Sequence, residues 1–263
     1  MLLSGKVIII TGACTGIGKA IAIKCVEEGA KVVINGLEED LGLALVGFLG
    51  KANAHLVIGD VTESHLPHLL VEMAIKTFGK LSAVVNNAAF IATSDIDDTE
   101  IAFFEKMFKV NTIAPFALIQ AGTMELSENA GCVLNIGSIN AWGGEPHLLA
   151  YSVSKGALMT LTRNLGDSLF RQRGIRVNQI NPGWVLTDKE KLNKKEQGMK
   201  DNWFEDISGF FAPSGRIFKP EEIANMAAFL LSDYCGPISS QVFDMEQFPL
   251  IGRNMPKDIV ITN

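Results

Sequence analysis

Tyr151 and Lys155 stand four residues apart in "YSVSK", and Ser138, thirteen residues before the tyrosine, closes the apolar run "CVLNIGS". On a helix, positions four apart share a face with side chains about 5 to 6 Å apart, so an ammonium can lie beside a phenol. A free phenol, with a pKa of about 10, is a poor base at neutral pH. A neighbouring cation and a hydrogen bond from a strand-end hydroxyl both favour phenolate, and lowering the pKa by about 3 units corresponds to roughly 4 kcal/mol. Ser, Tyr and Lys in this pattern suit proton transfer to or from a substrate oxygen. If that oxygen belongs to an alcohol or a carbonyl, a hydride must also move, and no side chain carries one.

A place for a hydride carrier lies at the start of the chain. The run "KVIIITG" leads into "TGACTGIG", with Gly12, Gly16 and Gly18 in the spacing G-x-x-x-G-x-G and a helical pattern directly after. Glycines there let the backbone turn tightly and approach a pyrophosphate, while the amides of the helix N-terminus face the phosphates.

The elements that would position these groups alternate along the chain. Short β-branched runs ("KVIIITG", "KVVING", "HLVIGDV", "LSAVVNNA", "CVLNIGS", "IRVNQINPG" and a last one near "SQVFDM") are separated by longer amphipathic stretches. Strand, helix, strand with apolar strands is the pattern of a parallel sheet covered on both faces. The expectation is an α/β doubly wound Rossmann fold of about seven strands in one domain, residues 1–263. Residues 188–218 break the rhythm and carry "GFFAPSG", which predicts a substrate loop with short helices.

Four motifs in order, "TGACTGIG", "NNAA" at 86–89, Ser138 with "YSVSK", and "NPGWVLT" at 181–187, give the chain a resemblance to the short-chain dehydrogenase/reductase family over nearly its whole length. That resemblance implies a nicotinamide cofactor held at Gly12, Thr15, Gly16, Ile17 and Gly18. It places Asp60 and Val61 against adenine, Asn87, Ala88 and Ala89 near the adenosine ribose, and Pro182, Gly183, Val185 and Thr187 at the nicotinamide end. Ala89 departs from the glycine usual in the family. Tyr151 is the implied proton donor or acceptor, Ser138 polarises the substrate oxygen, and Lys155 tunes the phenol and holds the nicotinamide ribose. Asn111, in "FKVNTIAPF", matches the asparagine that holds a water linking the lysine to solvent.

At the end of the second strand, "VVINGLEED" has neither a carboxylate at Gly36 for an NAD ribose nor an arginine at Leu37 for an NADP phosphate. Leu37 resembles an adenine-packing aliphatic residue and Thr15 occupies a place often basic in NADP users, so NAD is expected, with NADP open. Trp142, Glu145 and His147, between Ser138 and Tyr151, and Trp184, after the "NPG" turn, are expected near the pocket mouth. Aromatic faces with hydrogen-bonding groups suit a sugar or polyol. A carrier-linked 3-oxoacyl reductase and a non-catalytic cofactor sensor are the alternatives. The intact Ser138, Tyr151 and Lys155 speak against a sensor. The tail at 247–263 departs from the family and is expected to dock on protein, in a homodimer or homotetramer.

Composition narrows the function classes. With 23 basic and 29 acidic residues, a net charge of -6 and no long single-sign run, nothing resembles a nucleic-acid binder. The 48% hydrophobic content and mean hydropathy of +0.23 fit a well-packed globular chain. Cys14, Cys25, Cys132 and Cys235 lack metal-ligand spacing and read as buried small hydrophobes, so no metal is expected. "MLLSGKVIII" has no basic region before its apolar run, and no run approaches the ~20 residues of a membrane helix, so the expectation is a soluble cytoplasmic protein.

Overall fold

The computed structural model describes residues 1–250. Seven strands form one parallel sheet: β1 (Val7–Ile10), β2 (Lys31–Gly36), β3 (Ala54–Ile58), β4 (Ala83–Asn86), β5 (Cys132–Ile136), β6 (Arg176–Pro182) and β7 (Val242–Met245), in the order β3-β2-β1-β4-β5-β6-β7. The order reverses between β1 and β4, which places a crevice at the carboxyl ends of those strands. This is the Rossmann-type α/β fold.

Alternation along the strands sorts their side chains onto two faces. Ile8 and Ile10 of β1 pack with α1 (Gly16–Glu27), α2 (Glu39–Leu49) and α9 (Pro220–Leu231), through Ile21, Leu45 and Ile223. Val7 and Ile9 pack on the other face with α3 (Leu66–Phe78) and α5 (Ala114–Glu128), through Leu70 and Leu118; α7 (Leu149–Arg173) adds Leu165 and Leu169 there. All four cysteines are buried free thiols, and burial raises the pKa of each.

α4 (Ile101–Phe108) runs through a π-helical turn at Lys109–Ile113 into α5. The wider turn changes the helical phase around Asn111, which blurs the periodicity that marks an amphipathic helix. Residues 188–218 contain α8 (Asp188–Glu196) and a short 3₁₀ turn at Trp203–Glu205, gathered by an aromatic cluster that includes Trp184, Trp203 and Phe204. No helix among the described residues is long and apolar enough to cross a membrane.

Arg176, buried at the start of β6, secures the sheet to α9 by donating to the carbonyls of Leu230 (3.0 Å) and Ser232 (3.1 Å) at the end of that helix. Arg176→Met keeps the stem but leaves both carbonyls without this donor, a loss of about 1–3 kcal/mol. Urea unfolding should show that loss at unchanged slope; wild-type stability in the variant would contradict it.

Candidate active site

The glycine loop is shaped by close backbone approach. Gly12 has φ +61°, and a Cβ there would lie 2.7 Å from Ala88 Cα; a Cβ at Gly18 would collide with Asn87 Nδ2. The Asn87 side chain holds the loop itself, donating to the carbonyls of Thr11 and Gly12, both at 2.9 Å. Thr11 Oγ1 accepts from the amides of Asn87 and Ala88, each at 3.1 Å. At the head of α1, the Thr15 side chain makes no capping bond and the first turn carries no acidic residue, so the positive end of the helix is not neutralised. Such an end, behind a loop that admits no side chain at Gly12 or Gly18, fits a pyrophosphate. Gly16 (φ +56°) faces Thr187: a Cβ would meet Thr187 Cγ2 at 3.5 Å, so the loop and the "NPGWVLT" segment border one crevice.

Apart from Ile17 in α1, the remaining cofactor candidates lie at or just after the carboxyl ends of β2, β3, β4 and β6. Asp60 Oδ1 closes a turn on Thr62 through the Thr62 amide (2.9 Å) and hydroxyl (2.8 Å). Val61 and Ala88 line an apolar cleft with Leu66, Pro115 and Leu118. Ala89 and Leu37 are exposed, and Ile17 is half-buried. Gly183 N–H is bonded to Met245 O (2.9 Å), Pro182 O accepts from Ile139 N–H (3.1 Å), and Val185 bridges to Phe218. Thr187 caps α8 by accepting from Glu190 N–H at 3.1 Å.

α7 passes over the ends of β5 and β6 and brings Tyr151 and Lys155 beside Ser138. Tyr151 is 7% exposed, Lys155 2% and Ser138 9%. Lys155 Nζ donates to Ile136 O at 2.7 Å and lies 5.7 Å from the centre of the Tyr151 ring. Burial pulls the lysine pKa down from 10.5 to about 7. Burial also pushes the phenol up to about 12, outweighing the opposing hydrogen bond with Ser138. The phenol is therefore not depressed here, contrary to the expectation from the motif alone. The same burial that brings the lysine close weakens its hold on a proton, and with it the cationic help it can give.

Asn111 is fully buried in the π turn. Its Oδ1 accepts from Phe90 N–H (2.8 Å), and its Nδ2 donates to Phe90 O (2.9 Å) and Ser154 Oγ (3.0 Å). It ties the segment after β4 to the helix of Tyr151 and Lys155. Phe90, Phe103, Met107 and Leu148 pack around Tyr151, an apolar wall that the motifs do not reveal.

The four expected substrate residues fall into two bonded indoles and two exposed side chains. Trp142, in the short helix α6 (Asn140–Gly143), donates from Nε1 to both Asp244 carboxylate oxygens (2.9 and 3.0 Å), and Arg163 lies 5.1 Å over its ring. Trp184 donates to Glu190 Oε1 (2.8 Å) and stacks on Trp203 at 5.0 Å. Both indole N–H groups are thus committed to protein carboxylates. Glu145 and His147 are exposed. Among the described residues, no group of three or more His, Cys, Asp or Glu could hold a metal ion.

A family profile described as "Enoyl-(Acyl carrier protein) reductase" matches residues 12–246. A Thermotoga maritima protein described as an uncharacterized oxidoreductase is 32% identical over 250 residues, 94% of this chain and 98% of its own. The NADP-dependent (R)-specific alcohol dehydrogenase of Lentilactobacillus kefiri is 32% identical, with 88% of this chain and 91% of its own covered. The L-rhamnose 1-dehydrogenase (NAD(P)(+)) of Sphingomonas sp. (strain SKA58) is 32% identical, with coverages of 88% and 91%. The fold and these matches define an oxidoreductase of the class that acts on CH–OH groups. The chain belongs to the short-chain dehydrogenase/reductase family, whose members use nicotinamide cofactors.

The lysine shift has a consequence for stability. Between pH 7 and 10.5 the unfolded chain holds the Lys155 proton more tightly than the folded one, so folding stability from this group rises with pH across that window. Urea unfolding of the cofactor-free protein should show wild type gaining on Lys155→Met as pH is raised from about 7 to about 10. A constant difference between the two would contradict a neutral buried amine.

Proposed function

We propose that the protein interconverts a secondary alcohol and its carbonyl in a small hydroxylated substrate, a sugar or polyol, with Ser138, Tyr151, Lys155 and Asn111 as its catalytic group. The single observation behind this reading is that the phenol of Tyr151, the hydroxyl of Ser138 and the amine of Lys155 are all buried, with Lys155 one helical turn from Tyr151 and 5.7 Å from the centre of its ring. The nicotinamide, when bound, supplies or accepts the hydride. In the reducing direction Tyr151 gives its proton to the carbonyl oxygen, which Ser138 holds, and in the oxidising direction it takes the proton back. A phenol held up to about 12 is fully protonated at neutral pH, so the free protein stands ready to donate. Lys155, at about 7, can take up or release a proton in the same range and so restore the phenol. Asn111 keeps the helix of both groups in register with the Phe90 segment.

The sugar or polyol assignment draws support from the rhamnose dehydrogenases among the relatives. The apolar wall around Tyr151 favours a second reading, a 3-oxoacyl reductase. A substrate screen that includes aldoses, polyols, hydroxysteroids and a 3-oxoacyl thioester separates the two. With the best substrate, Tyr151→Phe should lower turnover at least about 10²-fold while still binding cofactor. Near-normal turnover in that variant would refute the role.

NAD is the proposed cofactor, carried by Gly12, Thr15, Gly16, Ile17, Gly18, Leu37, Asp60, Val61 and the 87–89 and 182–187 segments. Gly36 has no room for a carboxylate, because a Cβ there would collide with Cys14 Sγ; Glu38 Oε2 would lie 3.5 Å from the same Cβ. Glu38 is the carboxylate at this strand end, and its charge opposes a 2'-phosphate. Calorimetry should find NAD tighter than NADP, with the gap narrowed in Glu38→Gln; an unchanged gap would remove Glu38 from the selection. A homodimer or homotetramer is proposed from the family's habit. The tail expectation bears mainly on residues outside those described; Phe248 and Leu250 are half-buried.

A further inference from the structure

We infer that Asp244, on the last strand, is a positioning residue for Ser138, gripping its segment from two sides through Asn181 and Trp142. This rests on the proposed role of Ser138. The carboxylate accepts from Asn181 Nδ2 at 2.9 Å, and a carboxylate can only accept. The Asn181 amide is thereby oriented with Oδ1 inward, where it accepts from the backbone N–H of Ser138 (3.1 Å) and from Gln179 Nε2 (2.7 Å). With the amide turned the other way, two donors would face each other at the serine.

On the other side, both Asp244 oxygens receive the Trp142 indole N–H. Trp142 lies in the helix that begins two residues after Ser138, and that helix is joined to the serine at both its oxygens: Asn140 N–H donates to Ser138 Oγ (3.2 Å) and Ala141 N–H to Ser138 O (3.0 Å). Movement of Trp142 is therefore movement of the hydroxyl's own hydrogen-bond partner. Gly137 makes room for this arrangement, since a Cβ there would collide with Asn181 Oδ1 and Gln179 Nε2. Behind Gln179 the amides continue through Thr162 to Asn135 and Asn86, all buried and each bonded to the next at 2.8 Å. The serine thus sits at the end of a fully paired polar row whose outer anchor is Asp244.

A misplacement of about 1 Å at a reacting group can cost up to about 10²-fold in rate. Asp244→Ala and Trp142→Phe should each lower kcat about 10-fold, leave the calorimetric NAD affinity within about twofold, and add no further loss in a Ser138→Ala background, because all act through one hydroxyl. Asp244→Asn, which keeps the shape and one acceptor oxygen, should recover part of the rate and serves if the alanine variant folds poorly. Hydrogen exchange of the full-length chain should show residues 137–143 losing protection in the Asp244 variants. A multiplicative loss on Ser138→Ala, or unaltered kcat with unaltered exchange, would overturn the positioning role. If Ser138→Ala itself keeps full activity, the catalytic role of Ser138 fails, and the exchange measurement alone then decides whether Asp244 holds the segment.

Discussion

The bond from Lys155 Nζ to the carbonyl of Ile136 fixes the geometry on which the site depends. It pins α7 to the carboxyl end of β5, two residues before Ser138, and so sets the phenol of Tyr151 against the serine hydroxyl. An ammonium placed there would be costly, and the group responds by giving up its proton near pH 7 instead of pH 10.5. Tyr151 responds to the same dry surroundings in the opposite sense and keeps its proton. Burial thus reverses the order of the pair's proton affinities: the phenol, raised to about 12, holds its proton more tightly than the amine, lowered to about 7.

The sheet beneath is divided to support this. Toward the start of β4, β5 and β6, the face under α7 carries Val84, Val133 and Val177, which pack in an apolar core. Two residues further along each strand, the same face carries Asn86, Asn135 and Gln179. The change from valine to amide occurs where the strands end under the crevice. Hydrophobic burial holds the strands, and the amides of Asn86, Asn135 and Gln179, bonded to one another through Thr162, hold the loops above them in one arrangement.

The alternation of buried strands and amphipathic helices was legible because parallel strands covered on both faces must be apolar throughout, and the glycine loop was legible because Gly12 and Gly18 tolerate no side chain. Tyr151 and Lys155 were legible as neighbours because they are one helical turn apart, whereas Ser138 joined them only through the order of motifs that the family resemblance supplies. The partners of the indoles were not: Trp142 meets Asp244 across 102 positions of chain, and no local pattern signals that pairing. Gly36 reads as a missing carboxylate until Cys14 is seen filling its space. The direction of the tyrosine shift was also hidden, since a helical spacing reports that a cation is near but not how deeply both groups are buried.

The chain has two tyrosines, Tyr151 and the exposed Tyr234, so the ionisation of the buried phenol can be read directly. Tyrosine labelled with carbon-13 at the ring carbon bearing the hydroxyl, with Tyr234→Phe used to assign the signals, gives one resonance for each. In the cofactor-free protein the Tyr151 resonance should stay in its protonated position well past pH 10, in keeping with a pKa raised to about 12. Addition of NAD, the proposed cofactor, whose oxidised nicotinamide ring is cationic, should then move that titration downward. A Tyr151 that ionises at or below pH 10 without cofactor, or whose titration is unmoved by saturating NAD, would contradict the account of a burial-set proton donor at a nicotinamide site.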